Sequence, residues 1–248
     1  MSMPADSPVL RDLGPSAGRG HWLAAGVVAA AALAVLAEPL GQRWLLCTFK
    51  PLTTWLIIAY AWARGRASPA ARRWLLAGLG CSLAGDIALL WPDAGFVPGL
   101  AGFLLAHLCY LVAFSRDTRP ASALGPLLGY GVAAIGLLSL LWPGLPGPLR
   151  MPVTVYAGTL AAMAALAAGR WWQHRHAPHR RHLAIGALGG MFFVCSDGLL
   201  AFDRFHTALP WGTLWVLSTY WSAQWCIASS MAPGARGQAL AAKPVPPA

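Results

Sequence analysis

Eight apolar runs of about twenty residues each, separated by short polar loops, constrain this chain more than any other feature. They occupy residues 22–40, 44–63, 73–91, 96–114, 124–142, 152–171, 183–202 and 211–231. About twenty apolar residues is the length at which a helix crosses the hydrocarbon core of a bilayer. A spanning segment must satisfy its backbone polar groups internally, which leaves the helix as the structure for runs like these. The predicted fold is therefore an all-α integral membrane protein, a bundle of eight transmembrane helices spanning residues 21–231. The polar segment 1–20 and the Pro/Ala-rich tail 232–248 are expected to be disordered and cytoplasmic.

Charge supports that reading. Only 10% of the residues are charged, against about 25% in an average soluble domain. The net charge of +10 belongs to loops rather than to a continuous stripe, so nucleic acid is not the expected partner. Fourteen of the eighteen Lys and Arg residues fall on one side of the eight-span topology, and Arg43, Lys50, Arg150 and Arg204 are the exceptions. By the positive-inside rule the arginine-rich side is cytoplasmic, and both termini lie there. Trp22, Trp44, Trp62, Trp91 and Trp142 stand at span ends, where amphipathic rings favour the headgroup level. The first run also resembles a signal peptide, with Val35-Leu36-Ala37 as a cleavage-like site, but it suffices as a spanning helix and is read as one. Five cysteines scattered singly through the spans indicate neither a zinc site nor a disulfide framework.

Against this background two carboxylates stand out. Asp86, in Gly85-Asp86, and Asp197, in Ser196-Asp197, each lie deep in an apolar run. A charge at such a position costs roughly 2.5–3.5 kcal/mol on insertion scales, which makes an intramembrane Asp a candidate for function. Packing by interhelical hydrogen bonds is the plainer alternative. At about 1.5 Å of rise per residue, both aspartates lie roughly 20 Å from the cytoplasmic ends of their helices. Lys50 lies about 9 Å below the outer end of the second span. These depths predict a polar cavity in the outer half of the bundle. Pro51 removes a helix hydrogen bond next to Lys50.

His107 and Tyr110 share a helix face, as do Tyr220 and Gln224. Each of these, with Tyr156, can orient a substrate or simply bridge helices. Asp86 is followed by His107 and Tyr110 after 21 and 24 residues, and Asp197 by Ser218 and Tyr220 after 21 and 23. The spacing suggests two four-helix halves as a parallel pseudo-repeat. His174, His176, His179 and His182 cluster among arginines of a cytoplasmic loop and read as a solvated basic segment rather than a metal site.

Lys50-Pro51, Gly85-Asp86, Phe96 with Gly99, Phe103 with His107 and Tyr110, Tyr156, Phe192 with Ser196-Asp197, and Tyr220 with Gln224 together resemble the YhhN family of membrane proteins. The resemblance runs from the second span to the eighth. It implies a lysoplasmalogenase, which hydrolyses the vinyl ether of lysoplasmalogen to a fatty aldehyde and a glycerophospho-alcohol; no metal or other cofactor is expected, because only one His lies inside a span. The residues suit that chemistry in their own right. A vinyl ether is protonated on its outer alkene carbon, and water captures the oxocarbenium ion. The site needs an acid, an anion beside the cation and a base for water. Two buried carboxylates can divide these tasks, one carrying a proton and the other a charge. Asp86 and Asp197 are the expected pair, and which is the acid is open at this stage. Lys50, His107, Tyr110, Tyr156, Ser196, Tyr220 and Gln224 are the expected supporting residues. The expected setting is a bacterial cytoplasmic (inner) membrane, with the bilayer and a lysophospholipid as partners and a homodimer left open. Intramembrane Asp, Lys and His also make proton relays, so a proton-coupled transporter is the main alternative, and a non-catalytic lipid-binding protein is a further one.

Overall fold

A computed structural model describes residues 15–64, 69–91 and 93–231, with side chains from residue 21 onward except at Arg64. Most of the two polar termini lies outside the described residues. Eight α-helices follow one another: α1 Pro15–Val35, α2 Arg43–Arg64, α3 Pro69–Ala88, α4 Phe96–Ser115, α5 Pro120–Leu141, α6 Gly147–Gln173, α7 Arg180–Phe205 and α8 Gly212–Ser229. Helix α1 thus begins inside the N-terminal segment read as polar. One 3-10 turn, Trp142–Gly144, joins α5 to α6. Pro120 opens α5 and Pro148 opens α6, positions where a missing N–H costs nothing.

Short connections make the helices run up and down, so all eight meet at two ends. One end carries most of the arginines. The arginine-poor end holds the starts of α2, α4, α6 and α8. Five helices (α2, α4, α5, α6 and α7) are long and apolar enough by composition to cross a membrane. Helices α3 and α8 carry Ser82 and Asp86, and Tyr220 and Gln224, all buried inside the bundle. The protein is a multi-pass helical membrane bundle. Trp22, Trp44, Trp62, Trp91 and Trp142 project outward at helix ends, as an interfacial belt should.

The packing follows one scheme twice. Helices α1 and α2, α3 and α4, α5 and α6, and α7 and α8 form the closest pairs. Helix α2 then packs on α3 and α8, while α6 packs on α7 and α4. The two four-helix halves therefore interlock through equivalent helices. Small residues permit the closest crossings. A Cβ at Gly102 would lie 3.0 Å from the Cα of Gly85, and one at Gly190 would lie 3.0 Å from the Cα of Ala164. The centre is filled by Ile57, Leu79, Tyr110, Phe114, Met163, Phe193 and Ile227, all essentially inaccessible. Tyr60 of α2 stacks on Trp225 of α8 at 4.1 Å between centroids. Helix α5 is the exception, with only Ala123 and Leu141 buried along its length.

Candidate active site

Helix α3 carries Asp86 to a fully buried position, where two hydroxyls grip one of its oxygens. Thr54 of α2 donates to Oδ2 at 2.6 Å and Tyr220 of α8 donates to the same atom at 2.7 Å. Lys50 stands one turn before Thr54, on the same face of α2, with Nζ 3.8 Å from Oδ1. Oδ1 itself accepts no hydrogen bond. The ammonium is nearly buried as well. Such a pair pays desolvation on both sides, and loss of either partner strands the other charge.

A second cluster surrounds Asp197 of α7. Tyr156 of α6 donates to its Oδ2 at 2.6 Å, and His107 Nε2 of α4 lies 3.1 Å from the same oxygen and 2.9 Å from the Tyr156 hydroxyl. The Tyr156 proton is committed to the carboxylate, so Nε2 fits as the donor, shared between the two oxygens. The buried Nδ1, which has no partner, is then a bare lone pair rather than a stranded N–H. The Asp197 side chain keeps 13% of its surface exposed, against 1% for Asp86. That difference places Asp197 at the edge of open space and Asp86 behind it.

Behind Asp86 the hydrogen bonds run in one direction. Tyr110 donates to Gln224 Oε1 at 2.8 Å, Gln224 Nε2 donates to the Tyr220 hydroxyl at 3.1 Å, and Tyr220 donates to Asp86. The chain fixes the Tyr220 proton on the carboxylate. An amide cannot pass a proton along without tautomerising, so this array orients rather than conducts. Phe193 lies edge-on to both His107 and Tyr220, at 4.8 and 5.7 Å, and Phe103 lies edge-on to Tyr220 at 5.6 Å. Phe193 thus contacts one member of each carboxylate cluster.

Both carboxylates face one cavity of about 230 Å³. Lys50, Asp86, Tyr156, Asp197 and Tyr220 make its polar wall, and Ala133, Leu137, Leu138 and Leu141 of α5 make an apolar wall opposite. Its lining runs from Phe96, Leu141 and Phe205 at the arginine-poor end inward past the carboxylates to Val194 and Leu160. The arrangement brings an apolar wall, a pair of carboxylates and a cation around one space. No group of three or more His, Cys, Asp or Glu suited to a metal ion occurs among the described residues.

The profile of the YhhN family matches residues 45–231, three quarters of the chain. This chain belongs to the YhhN family. It is 34% identical over 209 residues to the rat protein named lysoplasmalogenase TMEM86B, covering 82% of this chain and 81% of that one. A Mycobacterium bovis protein named lysoplasmalogenase is 34% identical over 205 residues, covering 75% and 74%. Human lysoplasmalogenase TMEM86A is 32% identical over 200 residues, covering 75% and 78%. No solved structure matches the chain.

Of the residues singled out in the sequence, Lys50, Asp86, Tyr156, Ser196, Asp197 and Tyr220 line the cavity of this YhhN-family protein. His107, Tyr110 and Gln224 stand one layer behind, each bonded to a lining residue or to the next member of the array. Ser196 touches neither carboxylate; its hydroxyl donates to the Val216 carbonyl at 3.1 Å and ties α7 to α8. Thr54 was not among the sequence candidates. Its spacing of four from Lys50 is the signal that could have found it. Phe193 carried no such signal, since an aromatic in an apolar span looks like any other. His182 of the histidine-rich loop meets the Ser229 carbonyl at 3.3 Å. The two halves exchange partners: Asp86 of the first half is held by Tyr220 of the second, and Asp197 of the second by His107 of the first.

Proposed function

We propose that this protein is a hydrolase of the vinyl ether bond of lysoplasmalogen, releasing a fatty aldehyde and glycerophosphoethanolamine or glycerophosphocholine. The observation that carries the reading is the state of the two carboxylates. Each has Oδ2 occupied by two donors, and neither Oδ1 accepts a hydrogen bond among the described residues. Asp86 Oδ1 faces only the Lys50 ammonium, 3.8 Å away, and Asp197 Oδ1 accepts no hydrogen bond, so each second oxygen is available for chemistry beside a cavity otherwise suited to an alkenyl chain. The names of the relatives point to the same substrate class.

In this mechanism the alkenyl chain lies along α5, and the vinyl ether sits between Asp86 and Asp197. One carboxyl group delivers its proton from Oδ1 to the outer alkene carbon, and the ether oxygen becomes an oxocarbenium. The other carboxylate stabilises that cation and takes a proton from the water that adds to it. The hemiacetal so formed breaks into aldehyde and glycerol alcohol. One water is consumed and no net proton is. Lys50 holds Asp86 in place and meets the substrate phosphate. Tyr220 and Tyr156, set by Gln224 and His107, keep each Oδ2 occupied so that proton transfer is confined to Oδ1. The protein would work in the cytoplasmic membrane with both termini in the cytoplasm, as the arginine distribution suggests.

Fatty-aldehyde release from a lysoplasmalogen by the detergent-purified protein tests the reading. Asp86→Asn and Asp197→Asn should each lower kcat by about a thousandfold, within the range of acid–base contributions. Full activity in both folded variants would remove the carboxylate pair from the mechanism.

A further inference from the structure

The four basic residues that break the charge asymmetry of the sequence all lie toward the arginine-poor end of the bundle, where the cavity opens; of the four, Lys50 alone is in the cavity lining, and Arg204 is exposed. Arg43 donates to the Leu90 carbonyl at 3.0 Å, and Arg150 donates to the Leu145 carbonyl at 3.3 Å while stacking on Trp142 at 4.9 Å. Those two are occupied in fastening turns. Arg204 is different. Its guanidinium lies 4.4 Å above the ring of Phe96, and Phe96 with its edge-on neighbour Phe205 forms the cavity rim. Among the described residues its N–H groups make no hydrogen bond or ion pair. The neighbouring carboxylate does not compete, because Asp203 Oδ1 accepts the Leu209 amide at 2.6 Å, and the Asp203 carboxylate lies against Gly212. Glu38 and Asp93, also at this end, form no ion pair with Arg204.

We propose that Arg204, together with Lys50, forms a subsite for the phosphodiester of the substrate headgroup, with Arg204 selecting phospholipids over neutral ether lipids. The proposal rests on the hydrolase reading for the position of the reacting bond. In a lysoplasmalogen five bonds of about 1.5 Å separate the ether oxygen from phosphorus, a reach of about 6 Å when extended. Arg204 stands seven residues beyond Asp197 on α7, about 10 Å toward the rim, and its long side chain folds back over Phe96. Lys50 Nζ is 3.8 Å from Asp86 on the other side. A phosphate attached to a vinyl ether at the carboxylates would extend from the side of Lys50 toward the Phe96 rim over which Arg204 lies. Arg suits this place because its planar fork binds two phosphate oxygens at once while its face rests on an aromatic ring. The geometry also sets the polarity of binding, with the headgroup toward the rim and the chain against α5.

The test uses lipids that cannot be cleaved. Binding of a 1-O-alkyl glycerophosphoethanolamine and of the matching 1-O-alkyl glycerol is measured by tryptophan fluorescence in one detergent. Wild type should favour the phospholipid. Arg204→Gln should reduce that ratio of affinities about tenfold, the loss expected for one charge-assisted hydrogen-bonding partner, and Arg204→Lys should recover part of it. An unchanged ratio in a folded Arg204→Gln variant, or a wild type that binds both lipids equally, would overturn the subsite. So would displacement of the phospholipid by equimolar inorganic phosphate, which would mark a site for a free anion. With a cleavable lysoplasmalogen, Arg204→Gln should raise KM about tenfold and leave kcat within about twofold. A wild type that shows the binding preference but releases no aldehyde would refute the hydrolase reading and leave the phosphate subsite standing.

Discussion

The two carboxylate clusters are built alike and environed differently. Each Asp is held through Oδ2 by a residue from the second helix of its own half and one from the fourth helix of the other half. For Asp86 these are Thr54 and Tyr220, and for Asp197 they are Tyr156 and His107. The Asp86 cluster adds a nearly buried cation, Lys50, and its carboxylate is 1% exposed at the cavity wall. The Asp197 cluster has no Lys or Arg within ion-pair distance among the described residues and opens onto the cavity. One scaffold thus gives two acids of opposite surroundings. Enzymes that divide acid and base work between two carboxyl groups use this kind of asymmetry.

Lengthening each carboxylate tests the contrast most severely. Asp86→Glu pushes an extra methylene into a closed cluster, and a displacement of about 1 Å at a reacting group can cost about a hundredfold in rate. Asp197→Glu has open space to extend into and should lose about tenfold or less. Aldehyde-release kinetics on both variants decide it; equal losses would show that the openness of the Asp197 cluster has no consequence for catalysis.

The donors come next. Thr54→Val removes one of the two hydroxyls on Asp86 Oδ2 while keeping the volume, and should lower kcat about tenfold, as for loss of one hydrogen bond to a charged group. Tyr110→Phe, three hydrogen bonds removed from the carboxylate, should cost less than threefold. If Tyr110→Phe proved as damaging as Thr54→Val, the directional array behind Asp86 would be part of the chemistry and not its support.

The smallest effect on turnover is expected where packing alone is disturbed. A Cβ at Gly78 would collide with the ring of Tyr110, so Gly78→Ala should destabilise the bundle by about 1–3 kcal/mol. Thermal unfolding in detergent should register that loss, while the activity of the folded fraction stays within about threefold. A Gly78→Ala variant with unchanged Tm would show that α3 and α4 can separate freely at this crossing.

Much of this was legible in the chain. The helix count follows from eight apolar runs, because a bilayer core demands a fixed length of helix and forbids unpaired backbone. Asp86 and Asp197 declared themselves because a carboxylate is expensive in hydrocarbon. Lys50 stood out as a cation beside Pro51 on the arginine-poor side of the topology. The four basic residues displaced from the loops pointed, without saying so, to the end where the cavity opens.

Other features belong to the tertiary structure alone. That Tyr220 serves Asp86 and His107 serves Asp197, across the two halves, depends on how α2 meets α8 and α4 meets α6. Spacing along a helix reports which residues share a face, not which helix that face will meet. Thr54 and Phe193 acquire their roles from neighbours on other helices, none of them nearby in sequence. The buried state of Asp86 against the partly exposed state of Asp197 depends on the cavity, whose apolar side is walled by α5, a helix packed on α6 and otherwise largely exposed. Hydropathy measures the cost of placing a residue in the membrane; which polar group it then finds, and which space it faces, is settled by packing.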